Sequence, residues 1–110
     1  MYKILIVDDS SAIRRAVRRT VETAGHTAIL AKDGYEATAL ALKDKPDIAF
    51  VDIDMPNMDG LTFTHLIKTS PIADFPIVLL TSKSTIFDIQ NGELVGANGY
   101  IIKPFDPESI

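Results

Sequence analysis

Four short runs in this chain are apolar or aromatic at every position: "ILIV" from Ile4, "IAFV" from Ile48, "IVLL" from Ile77 and "YII" from Tyr100. A strand with one face in water alternates apolar and polar residues, so an unbroken run of this length reads as a strand covered on both faces. A weaker fifth run, "HTAILA" from His26, follows the breaker Gly25. Helical spacing fills the intervals. Ile13, Ala16, Val17, Thr20, Val21 and Ala24 recur at three and four, with Arg14, Arg15, Arg18, Arg19 and Glu22 outside and either Ser10 or Ser11 able to cap the start. Ala37, Leu40 and Ala41 mark a second helix, Phe63, Leu66 and Ile67 a third, and Ile86, Ile89 and Leu94 a weaker fourth. Strand and helix alternate with no repeat or low-complexity segment, which predicts one α/β domain on a parallel sheet.

Composition narrows the role. With 110 residues, 46% of them hydrophobic and 24% charged, the chain can bury a core without staples. A net charge of -4 argues against a nucleic-acid or anionic-membrane surface. The absence of cysteine removes disulfides, thiolate zinc sites and cysteine nucleophiles. No apolar run has the length of a membrane span, and "MYKILIVDDSS" has the wrong flanks for a signal peptide, so the expected location is the cytoplasm.

The apolar runs end on chemistry. "ILIVDD" ends in Asp8 and Asp9, "FVDID" carries Asp52 and Asp54, "IVLLTS" ends in Thr81 and Ser82, and "YIIKP" delivers Lys103. In an open parallel sheet, ligands bind beyond the carboxyl ends of the strands, where the strand order reverses. If the first, third, fourth and fifth strands are neighbours, these side chains gather at one edge. Two unit charges about 4 Å apart repel by roughly 4 kcal/mol at an effective dielectric of 20, so clustered carboxylates need a cation or protons. Hard carboxylate oxygens without His or Cys partners favour Mg²⁺ or Mn²⁺. An ionised carboxylate beside a divalent ion, a hydroxyl and an ammonium makes a phosphoryl-transfer site in which no separate base is required.

The blocks "ILIVDDS", "VDIDMPNMDG", "LLTS" and "GYIIKPF", in this order and at these separations, resemble the signature of bacterial response-regulator receiver domains, the group that includes the chemotaxis regulator. The resemblance covers almost the whole chain. It implies a doubly wound five-stranded parallel sheet of flavodoxin-like order 2-1-3-4-5. It further implies that Asp52 is the phosphoacceptor, that Asp8 and Asp9 hold Mg²⁺, and that the backbone carbonyl of Asp54 is a further ligand. Thr81 and Lys103 would bind the phosphoryl oxygens, and Tyr100 would be the aromatic switch that turns inward when Thr81 is drawn to the phosphoryl group. Asp54 and Lys83 occupy the positions that tune dephosphorylation. The implied partners are a histidine kinase or phosphotransfer protein and a downstream protein that reads the fourth helix and last strand, a surface that would also serve a dimer. The segment from Thr81 to Phe105 resembles loosely the receivers of pilus-based and twitching motility systems. The chain stops at "KPFDPESI", where the fifth helix should begin, so residues 1–110 are expected to be one receiver domain with that helix largely missing.

Plainer readings stand beside these. One of Asp8 and Asp9 is accounted for by charge at a helix amino terminus. Thr81 is an ordinary strand residue in isolation, Lys103 an ordinary solvated lysine, and Tyr100 an ordinary packing residue. The arginines of the first helix are either a solvated face or a docking surface for an acidic phosphotransfer partner. His26 and His65 lack acidic partners at ligand spacing and read as surface residues, and Asp59-Gly60 reads as a turn and helix start. Two other functions compete: a non-phosphorylated interaction domain of the same fold, and a haloacid-dehalogenase-like phosphatase, whose Asp-x-Asp "FVDID" also satisfies. The receiver reading makes the chain no enzyme beyond its own phosphorylation and dephosphorylation.

Overall fold

The computed structural model describes residues 1–53, 60–70, 75–81 and 98–102, with the backbone alone for residue 81 and residues 100–102. The expected fourth helix, the start of a fifth, and Asp54, Lys83 and Lys103 lie outside the described residues.

The order along the chain is β1 (Lys3–Val7), α1 (Ser11–Thr23), β2 (Thr27–Ala31), α2 (Gly34–Asp44), β3 (Ile48–Asp52), α3 (Gly60–Lys68), β4 (Ile77–Thr81) and β5 (Gly99–Ile102). All strand pairs are parallel, in the order β2-β1-β3-β4-β5. The order reverses at β1, so the crevice between the carboxyl ends of β1 and β3 is the place where such a sheet binds ligands.

Unbroken apolar strands leave two cores, one per face. Leu5 and Val7 of β1, Ala49 and Val51 of β3, and Ile77 and Leu79 of β4 join Ala37 and Ala41 of α2 and Phe63 and Ile67 of α3. The alternate residues Ile4, Ile6, Phe50 and Leu80 join Val17 and Val21 of α1. That is the period-two alternation of a strand applied to two buried faces.

The starts of α1 and α2 are capped as their sequences dictate. Ser10 is the cap of α1, its Oγ accepting the Ile13 N–H at 3.3 Å. Asp33 caps α2, accepting the Glu36 N–H at 2.8 Å, while Glu36 reaches back to the Lys32 N–H at 3.2 Å. Helix α2 ends at Lys45 in the left-handed region, φ 48°, with its N–H returned to the Ala41 carbonyl.

The helix faces differ in detail from the apolar pattern. In α1, Val17 and Val21 are buried and Ile13, Ala16 and Thr20 half-buried, but Ala24, expected inside, is the exposed C-cap. Arg14, expected outside, is half-buried. In α3, Leu66 is 42% exposed and Thr64 is fully buried in its stead. The Thr64 hydroxyl donates to the Gly60 carbonyl at 2.7 Å, which removes the cost of burying it.

Candidate functional site

Side-chain parity and strand register bring the two strand-end acids together. Ile4 and Ile6 of β1 and Phe50 of β3 point to the α1 face, and Asp8 and Asp52 continue those rows at the same parity. Register pairs Ile6 with Phe50 and Val7 with Val51, so Asp8 stands one step further on, beside Asp52. Asp8 is fully buried, Asp52 is 3% exposed and Asp9 is exposed. One carboxylate oxygen from each of the three lies within 4.8 Å of the others. Burial of two like charges side by side is costly unless partners or a cation offset it.

Each acid is held by the helix that follows its strand. The Asp8 N–H donates to the Ala31 carbonyl of β2 at 3.1 Å, and Asp8 Oδ1 accepts the Ser10 N–H at 2.9 Å. Arg14, four residues into α1, turns its guanidinium back so that Nη1 donates to the Asp8 carbonyl at 2.6 Å. Helical side chains lean toward the amino terminus, so a first-turn arginine is built to reach the strand end before it. Arg14, which the apolar spacing places outside the helix, is therefore turned in toward the strand end and belongs neither to a solvated face nor to a docking face.

Asp52 is held through its backbone. The next residue, Ile53, donates its N–H to the Leu80 carbonyl of β4 at 2.9 Å and accepts the Gly60 N–H at 3.0 Å. Gly60 lies so close that a Cβ there would overlap the Asp52 carbonyl oxygen and sit 2.8 Å from the Ile53 Cα and 2.9 Å from the Asp52 carbonyl carbon. The glycine is therefore more than a turn residue: without a side chain, it lets α3 rest directly on the backbone of the strand-end acid.

Thr81 closes β4, one residue beyond Leu80, which pairs with Asp52; it pairs in turn with Ile102 of β5, and Tyr100 pairs with Leu79. Exposed Arg15, Arg18 and Arg19 line a shallow groove along α1 with Glu22 and Thr23, and Arg18 Nε is 3.0 Å from Glu22 Oε1. The histidines divide. His65 is exposed as expected, but His26 is half-buried, and its Nδ1 accepts the Tyr2 N–H at 3.1 Å.

The donor set suits a hard divalent cation. Metal–oxygen distances of about 2.1 Å set ligands of a Mg²⁺ octahedron roughly 3.0 Å apart when adjacent and about 4.2 Å when opposite, so oxygens within 4.8 Å of one another are close enough to share an ion once the side chains draw together or a water bridges them. All three are carboxylates, and no soft ligand competes for them among the described residues.

A parallel sheet of this order with an acidic cluster at the carboxyl edge of β1 and β3 defines a class, and the comparisons agree on it. The response regulator receiver domain model matches residues 4–110, and the chain belongs to that family. Receiver domains serve two-component signal transduction and bind Mg²⁺ in an acidic pocket. Among relatives, protein PilG of Pseudomonas aeruginosa is 38% identical over 109 residues, which cover 98% of this chain and 81% of PilG. Response regulator MprA of Mycobacterium ulcerans is 36% identical over 108 residues, 98% of this chain but only 46% of MprA. The chain thus spans less than half of that relative. Among solved structures, Vibrio cholerae chemotaxis protein CheY4 superimposes with a TM-score of 0.94 at 40% identity, over 99% of this chain and 92% of CheY4.

Proposed function

We propose that Asp52 is the phosphoacceptor of this receiver and that Asp8 and Asp9 hold the Mg²⁺ its reaction needs. The observation that carries the reading is the meeting of Asp8, Asp9 and Asp52 within 4.8 Å at the carboxyl edge of neighbouring strands, in a chain of the receiver family. Asp52 attacks phosphorus through a carboxylate oxygen. A P–O bond forms as the P–N bond of a donor phosphohistidine breaks, and the freed imidazole takes up a proton. Bound Mg²⁺ supplies charge that offsets the carboxylates and the phosphoryl oxygens; Asp8, Asp9, Asp52 and the Asp54 backbone carbonyl would hold it, and Mn²⁺ would serve in its place. Thr81 and Lys103 steady the phosphoryl oxygens, and Asp54 and Lys83 tune the lifetime of the acyl phosphate.

The phosphoryl group adds up to two negative charges and strong acceptor oxygens. Thr81 moves toward them, Tyr100 turns inward, and the surface around β5 shifts between two states that a downstream protein distinguishes. The same surface would serve a dimer. The donor, a histidine kinase or phosphotransfer protein, docks along α1, whose exposed Arg15, Arg18 and Arg19 complement an acidic partner. We place the domain in the cytoplasm, with no chemistry beyond its own phosphorylation and dephosphorylation. The chemotaxis role of CheY4 and the resemblance of residues 81–105 to receivers of pilus-based systems support an output in motility.

Incubation with Mg²⁺ and a small phosphodonor, followed by intact mass measurement, tests the function. One stable or slowly lost phosphoryl group is expected. Turnover of donor that persists in Asp52→Ala would indicate a different phosphatase chemistry, and no modification would indicate an interaction domain; either would overturn the proposal.

A further inference from the structure

Arg14 stands apart from the other arginines of α1. It is half-buried, and its guanidinium donates to the Asp8 carbonyl oxygen at 2.6 Å, a short contact. That carbonyl belongs to the peptide that joins Asp8 to Asp9, so the contact bears on both acids at once. The same stretch is bounded by the Asp8 N–H on Ala31 and by the Ser10 N–H on Asp8 Oδ1. The first joins two backbone groups, and in the second a backbone N–H meets the Asp8 carboxylate itself. Arg14 is a side chain reaching back from the next helix to fix the plane of the peptide.

Resting on the reading of Asp8, Asp9 and Asp52 as the cation site, the geometry points to Arg14 as a positioning residue for divalent binding. By holding the Asp8–Asp9 peptide, it sets where two carboxylates meet the third. A guanidinium beside carboxylates also acts by charge, and that effect has the opposite sign. A positive group near the site repels Mg²⁺, so its removal strengthens binding if charge dominates. Removal weakens binding if positioning dominates. The direction of one affinity change therefore separates the two.

The test is Mg²⁺ titration by calorimetry on the wild type and on the Arg14→Met, Arg14→Lys and Lys32→Met variants, with thermal melts in EDTA to read the fold independently of metal. Lys32 is an exposed cation just after Ala31 on the same edge of the sheet, so its variant makes the same charge change without the hydrogen bond. Arg14→Met should raise the Mg²⁺ dissociation constant about tenfold, the scale on which groups that orient metal ligands act. Arg14→Lys should recover part of the loss, because an ammonium still donates to a carbonyl, and Lys32→Met should leave affinity unchanged or slightly tighter. Arg14→Met binding Mg²⁺ as tightly as the wild type, or more tightly, would overturn the inference. Should Arg14→Met lose its melting transition, Arg14→Lys decides: weakened binding supports the inference, and wild-type affinity overturns it. A wild type that binds no Mg²⁺ would remove the site reading and this inference together, whereas wild-type binding with unchanged Arg14 variants would remove this inference alone.

Discussion

Asp8 and Asp52 end neighbouring strands as buried acids of the same row, yet the chain holds them by opposite means. At Asp8 the restraint is added: the Ser10 N–H donates to its carboxylate, and Arg14 reaches back to its carbonyl. At Asp52 the restraint comes from subtraction, since Gly60 has no side chain and α3 can lie against the carbonyl itself. The first arrangement ties the acid to the helix proposed to meet the donor. The second ties it to a helix on the other face of the sheet, through Phe63 and Ile67 in the larger core. A strand-end acid that holds an ion tolerates restraint by side chains. One proposed to attack phosphorus in line gains from a fixed main chain, because small displacements of a nucleophile are costly in rate.

Gly60→Ala is the strongest way to break that contrast. The new Cβ meets backbone atoms, which cannot rotate away, so the strand end or α3 has to shift. A loss of about 1–3 kcal/mol is expected, read as a lower midpoint in urea melts, together with slower phosphorylation. A variant as stable and as reactive as the wild type would show that α3 does not set the position of Asp52.

Asp9→Asn probes the metal side of the comparison. Mg²⁺ at about a hundred times its dissociation constant should stabilise the wild type by roughly 2.7 kcal/mol, since only the folded chain assembles the three carboxylates. Most of that gain in melting temperature should disappear in Asp9→Asn. With no Trp in the chain, melts followed by circular dichroism are the suitable measurement. An undiminished Mg²⁺ shift would take Asp9 out of the site.

Ser10→Ala should have the smallest effect. It removes the cap on Ile13 but keeps the backbone N–H that Asp8 accepts, so stability should fall by about 1 kcal/mol while the Mg²⁺ shift survives. Loss of the Mg²⁺ shift as well would mean that the cap, not the Ser10 amide, orders the acidic end of β1.

Much of this was legible in the sequence because it rests on local pattern. Unbroken apolar runs specify strands buried on both faces, and one residue beyond such a run at the right parity is a strand-end acid, as at Asp8 and Asp52. What escaped the pattern are contacts between elements. Thr64 replaces Leu66 in the core because its hydroxyl is satisfied by Gly60, four residues back, a pairing that hydrophobic periodicity ignores. Gly60 reads as a turn and helix start, and it does begin α3, but the reason for a glycine there, the carbonyl of Asp52, lies on the preceding strand. Arg14 shares its spacing with arginines that do face solvent, and only its closeness to the helix start distinguishes it. The absence of acids at ligand spacing places His26 at the surface, whereas its partner is the backbone N–H of Tyr2.

The central claim is that Asp52, fixed at the main chain of β3, is the carboxylate that takes the phosphoryl group. The most direct test is intact mass of the wild type, Asp52→Ala and Asp54→Ala after treatment with Mg²⁺ and a small phosphodonor, followed over time. One phosphoryl group should appear on the wild type and on Asp54→Ala, with an altered lifetime in the latter, and none on Asp52→Ala. Phosphorylation that persists in Asp52→Ala, or that vanishes in Asp54→Ala alone, would contradict the account.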